Sequence, residues 1–175
     1  MITIDEFHPK DSDILYVAVR DPIKRTLSAW KFREYLIDNN YQRRKNCSVC
    51  PEKKCFTRYG SFNKFAESLY TDPIAPKILE NPCIGLVEHN FTKVITPIKD
   101  FIEEHPQQVY IIRTEHINED MLKVFGIKPP AVTHQGPSGG GESYLSQKAV
   151  ANLNKFLSQE YEIYYWLLCL KGLDP

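Results

Sequence analysis

The sequence predicts a helix-rich α/β fold, a short parallel sheet flanked by helices. Three observations predict it. The runs "ILYVAV" (residues 14–19) and "QVYIIR" (108–113) are apolar and rich in β-branched residues, as buried strands are. Each is followed within a few residues by helical spacing, and the stretch from 145 to 173 reads as helix almost throughout. A chain of 175 residues, 42% of them hydrophobic, can bury one core and is short for two, so a single domain over 1–175 is expected.

Taken in order, the first strand runs from Ile14 to Val19 and delivers Arg20 to its C-terminal end. Asp21 suits an N-cap and Pro22 the first helical position, which starts a helix reaching about Ile37. Ile23, Leu27, Trp30 and Glu34 recur on the face expected to pack, with Lys24, Ser28 and Lys31 on a neighbouring stripe toward a cleft. Residues 38–60 lose all periodicity and read as a basic loop containing cysteines. Ser61 then caps a short amphipathic helix with Phe62, Phe65, Ala66 and Leu69 at helical spacing. Prolines break up "TDPIAPKILENP". A helical pattern resumes at Val94, Ile95, Ile98, Phe101 and Ile102, with Pro97 marking a kink or the start of the main helix. After the second strand comes a short helix stopped at Gly126, then a Gly/Pro-rich loop over 128–144. Two closing helices meet near Ser158, and Cys169 is expected in the core.

A formal net charge of zero gives no global attraction to nucleic acid or to an anionic membrane, and no nucleic-acid recognition module is visible. No run approaches a membrane span, and "MITIDEFHPKDSD" is acidic and polar, unlike a signal peptide; a cytoplasmic protein is expected. Any anion site must be local.

The distinctive motif is "RDPIKRTLS", with Arg20 at a strand end and Ser28 eight residues later, two turns into the helix. A forked guanidinium, a hydroxyl donor and the field of a helix start suit one tetrahedral oxyanion, and Arg25 is placed to assist. "VAVRDPIKRTLSAW" resembles the segment with which the sulfotransferase family holds the 3′-phosphate of 3′-phosphoadenosine 5′-phosphosulfate (PAPS): an apolar strand ending in Arg, Asp-Pro, Ser at this offset, and an aromatic residue such as Trp30 just beyond. "VYIIRTEHINEDMLKVFGI" is similar to the strand, acidic residue and short helix that precede the family's C-terminal portion, and "LSQKAVANLNKFLSQEYEIYYWLL" resembles the closing helix of its carbohydrate-type members.

The resemblance implies a P-loop NTPase-like sulfotransferase fold, PAPS as co-substrate, and transfer of a sulfuryl group to a hydroxyl of a carbohydrate or similar acceptor. It departs from the family at one place. The Lys/Gly/Ser loop that grips the 5′-phosphosulfate has no counterpart in "MITIDEFHPKDSD", so the domain is expected to be N-terminally incomplete or to belong to a shortened branch. Backbone N–H groups of Gly139 and Gly140 in "GPSGGGES" are a third way to hold phosphate. A catalytically inactive relative that binds a nucleotide or a partner is the alternative function.

Sulfuryl transfer needs a base for the acceptor hydroxyl. His89 and its neighbour Glu88 are the first candidates and His116 the next. Cys47, Cys50 and Cys55 have the spacing of a zinc knuckle that would need a fourth ligand from Cys83 or a histidine; a disulfide is a second reading, and free thiols in a loop are the ordinary one. Arg43, Arg44, Lys45, Lys53, Lys54 and Arg58 form a basic rim suited to an acidic glycan, with Tyr41 and Tyr59 available to stack on sugar rings.

Overall fold

A computed structural model describes residues 9–38, 52–80, 90–128 and 144–175, with only the backbone of residues 52, 53 and 55. In chain order the elements are β1 (Leu15–Val19), α1 (Pro22–Asp38), α2 (Glu52–Tyr59), α3 (Phe62–Glu67), α4 (Ala75–Leu79), α5 (Phe91–Ile95), α6 (Lys99–Glu104), β2 (Val109–Arg113), α7 (Ile117–Phe125), α8 (Gln147–Phe156) and α9 (Ser158–Leu170). Single 3₁₀ turns precede α6, β2 and α7. The result is a helix-rich α/β chain with a two-stranded parallel sheet.

The contacts group the chain into two compact units that interleave along the sequence. The first comprises Met1–Pro22, His89–Thr133 and Gln159–Pro175; the second comprises Ile23–Glu88 and His134–Ser158.

In the first unit β1 and β2 pair in parallel, from Leu15 opposite Val109 to Val19 opposite Arg113. Val19, Val109 and Ile111 supply the sheet's part of a core completed by Phe91, Ile95, Ile98 and Ile102 before the second strand and by Tyr164, Leu167 and Leu168 of α9. Pro97 lies in the 3₁₀ turn Thr96–Ile98 between α5 and α6, where the missing N–H and fixed φ are tolerated. Gly126 closes α7 in the left-handed region at φ 67°, its N–H donating to the Leu122 carbonyl at 2.9 Å. Two expectations need correcting. β1 alternates in burial rather than being covered on both faces, and Tyr16 on its outer face stacks on Tyr110 at 5.4 Å and meets Phe125 at 4.9 Å. Cys169 is exposed, because the buried stripe of α9 runs through Tyr164, Leu167 and Leu168 and the next residue is turned away by about 100°.

The second unit is helical. Trp30 of α1 packs on Phe56, Phe62 and Phe65 with ring centroids at 4.2, 5.6 and 4.8 Å. The buried positions of α1 are Pro22, Thr26, Trp30 and Arg33 rather than the Ile23, Leu27, Trp30 and Glu34 stripe, so the expected face is rotated by about one residue. The end of the presumed 38–60 loop is helix α2. Its Phe56 and Tyr59, three apart, both bury, and the dense charge around them masks that pair in the sequence. "TDPIAPKILENP" likewise contains α4, which Pro76 serves in the first turn while Ala75, Ile78 and Leu79 bury. Asp72 ties this region together, accepting from Arg58 Nε (3.0 Å) and Nη2 (2.8 Å), Tyr59 Oη (2.9 Å) and the Ile74 N–H (3.0 Å). Burial first, then the bond to Asp72 and its charge, push the Tyr59 phenol up to about 12.

Candidate anion site at the sheet edge

Parallel strands end together, and the register makes Arg20 and Thr114 the first residues beyond the C-terminal edge of the sheet. The Thr114 hydroxyl donates to the Val19 carbonyl at 2.9 Å and fixes that edge. The 3₁₀ turn Thr114–His116 then carries Glu115 to Arg20, with Nε 3.9 Å from Oε1. That separation is an ion pair and too long for a hydrogen bond. Arg20 Nε is buried and has no hydrogen-bond partner among the described residues, while its side chain as a whole is 36% exposed. An unsatisfied buried donor costs roughly 1–3 kcal/mol, which an acceptor reaching it would recover.

At the end of β2, Arg113 has the opposite environment. Its Nε and Nη2 donate to the two oxygens of Asp120 at 3.0 and 2.8 Å, its own N–H donates to Asp120 Oδ2 at 2.7 Å, and Nη1 reaches the Asp174 carbonyl at 3.0 Å. Burial alone would raise the Asp120 carboxyl, but the Arg113 hydrogen bonds and charge outweigh it and hold the group below the usual carboxylate range. The same bonds raise the Arg113 guanidinium.

Two further groups define the electrostatics. Tyr161 Oη donates to Asp21 Oδ2 at 3.0 Å, which holds the residue just before α1. Burial, followed by the charges of Glu115 and Asp21, raises the Tyr164 phenol. The corner therefore sets Arg20 beside Asp21 and Glu115, while the neighbouring Arg113 is committed to Asp120. An incoming phosphate would gain the orphaned Nε–H and would have to displace Glu115.

Of the residues singled out in the sequence, Arg20, Arg25 and Ser28 lie among the described ones. Arg20 belongs to the first unit; Arg25 and Ser28 are half-buried in the first turns of α1, in the second. His116 is exposed, with Nδ1 3.3 Å from Glu119 Oε2. His89, Glu88, Cys47, Cys50, Gly139 and Gly140 lie outside the described residues, as does the side chain of Cys55. Among the described residues no group of three or more His, Cys, Asp or Glu could hold a metal ion, and no helix is long and apolar enough to cross a membrane. Compared with family models, curated proteins and solved structures, the chain has no match.

Sequence reasoning did not single out Glu115 as the partner of Arg20, nor the lock that Asp120 places on Arg113. The first needed the strand register. The second had a signal: an acid seven residues after a strand-ending arginine, in the first turn of a helix, can reach back to both its backbone and its fork.

Proposed function

We propose that the chain is a sulfotransferase-like domain of P-loop NTPase-like architecture that holds the 3′-phosphate of PAPS through Arg20. The observation that carries the reading is a guanidinium at the C-terminal edge of a parallel sheet, followed at once by a helix, with a buried Nε–H that nothing described accepts. The fork suits a phosphate bidentately. The sequence resemblance pairs Arg20 with Ser28, with Arg25 as a further cation, and makes His89 or Glu88 the base.

In the reaction so implied, the acceptor hydroxyl oxygen attacks sulfur as the bond from sulfur to the bridging phosphate oxygen breaks. The hydroxyl proton passes to the base, and adenosine 3′,5′-bisphosphate leaves. Arg20 acts by binding and orientation, since it would hold the end of the nucleotide remote from sulfur. The acceptor is a carbohydrate hydroxyl, and the basic residues between 43 and 58 favour an acidic glycan.

A second reading, a catalytically inactive relative, has one observation in its favour: Glu115 already stands within ion-pair distance of Arg20. Thermal denaturation separates the two. A ligand that binds only the native state raises its melting temperature, so adenosine 3′,5′-bisphosphate should shift it clearly and AMP much less. Equal shifts would remove the 3′-phosphate assignment, and no shift from either would favour the inactive relative.

A further inference from the structure

Parallel strands are ordinarily covered on both faces, because the connections between them lay helices over the sheet. In the first unit one face of the sheet is left partly open. Tyr16 is 51% exposed there although it stacks on Tyr110 and meets Phe125, and Ala18 beyond it is exposed as well. Ile14 continues the same alternation two residues earlier, Leu122 lies one turn before Phe125 on α7, and Ile127 follows the helix end. These four are between 40% and 55% exposed.

The size of this patch indicates what would cover it. Five apolar side chains about half exposed, each with roughly 200 Å² to bury, leave about 500 Å² of apolar surface, near the top of the range for the largest patch on a monomer. Two such patches face to face would bury about 1,000 Å² together, which reaches the threshold of a specific interface and has the size of a weak, reversible one.

Charge selects the occupant. A formal net charge of zero puts no long-range repulsion between two copies of the chain. The rim of the patch carries both signs, with the exposed Glu119 and Lys123 one turn apart along one side of Leu122 and Lys128 past the helix end. A surface of a single sign would be drawn by part of this rim and repelled by the rest. A second copy satisfies both signs, because a two-fold axis in the interface plane, crossing α7 at right angles beside Leu122, sets Leu122 against its own copy and Glu119 against Lys123 of the second copy, twice over. We propose that this open face is the interface of a two-fold symmetric dimer of the chain, built on Tyr16, Leu122 and Phe125. The inference goes beyond the nucleotide reading and does not rest on it.

The test is sedimentation velocity of the full chain across the micromolar concentration range at neutral pH, with no nucleotide present. The mass should rise with concentration from 20.3 kDa toward twice that value. Leu122→Glu, at an exposed helical position, should keep the fold by circular dichroism and weaken association roughly a hundredfold, since one substitution enters a two-fold interface twice. Glu119→Lys sets lysine against lysine at both ends of the helix pair and should weaken the dimer roughly threefold to tenfold; adding Lys123→Glu should restore it. A parent that stays at 20.3 kDa throughout, a dimer that Leu122→Glu leaves as tight as before, or a Glu119→Lys loss that Lys123→Glu does not reverse would each overturn the inference. So would a monomer that cosediments with anionic lipid vesicles, which would assign the face to a membrane surface.

Discussion

Two arginines stand at the same edge of the same sheet with opposite surroundings. Arg113, at the end of β2, is 12% exposed and fully engaged, its fork on Asp120 and its remaining nitrogen on the Asp174 carbonyl. Arg20, just past the end of β1, has one carboxylate at 3.9 Å and a buried Nε–H with no partner described. Both are basic residues leaving an apolar strand beside an acid. What separates them is where the acid stands. Asp120 lies in the first turn of α7, seven residues on, and closes onto backbone and fork together; Glu115 comes from the neighbouring strand end and reaches one nitrogen. The comparison assigns Arg113 to the fold, and leaves Arg20 with a buried donor that the proposed function gives to a phosphate.

The largest effect should come from the locked arginine. Asp120→Ala would leave Arg113 nearly buried without its counter-charge, and removing one partner of such a pair costs about 3 kcal/mol. Chemical denaturation of the purified variant measures this, and a loss under about 1 kcal/mol would mean that the two arginines do not differ as described. The pair also has a pH signature. The Asp120 carboxyl is lowered in the folded state, so its contribution is present above the unfolded carboxylate value of about 3.9 and is lost as pH falls below it. Melting curves across that acid range should fall less steeply in Asp120→Asn than in the parent.

Next in size is Glu160. This buried carboxylate of α9 accepts from the N–H groups of Phe91 (2.6 Å) and Thr92 (3.1 Å) and from the Thr92 hydroxyl, so it caps α5 across a long sequence separation. Glu160→Ala should cost about 2 kcal/mol, from the two N–H groups and the hydroxyl it leaves without this acceptor, while Asn90 still caps α5 through the Lys93 N–H. Amide exchange in α5 should speed up more than exchange in α7, whose own end is closed by Gly126. Equal acceleration in both helices would show that the cap is not local.

How far these contrasts could be read without coordinates follows from which forces are local. The start of α1 at Pro22, the cap of α3 by Ser61, the break in helix around Pro97, the stop at Gly126 and the junction near Ser158 were all legible, because each depends on neighbouring residues. Helices α2 and α4 were not, since two buried aromatics among charges and a proline-flanked apolar trio acquire meaning only once a surface exists for them to bury against. At the sheet edge the position of Arg20 was legible from strand, Asp-Pro and helix. Its orphaned Nε–H and its distance from Glu115 depend on the register between strands 94 residues apart at Val19 and Arg113, which no local pattern encodes.

The smallest stability effect should belong to Arg20→Ala. A partly exposed ion pair at 3.9 Å contributes at most about 1 kcal/mol, so the melting curve should hardly move. That quiet background makes Arg20 the residue on which to test the account, by calorimetric titration of adenosine 3′,5′-bisphosphate into the parent and Arg20→Ala proteins. A charge-assisted contact contributes about 1.5–3 kcal/mol, so affinity should fall roughly tenfold to a hundredfold with the fold intact, and Arg20→Lys should recover only part of it, having charge without the fork. A folded Arg20→Ala protein that binds the bisphosphate as tightly as the parent would contradict the assignment of this arginine to a phosphate.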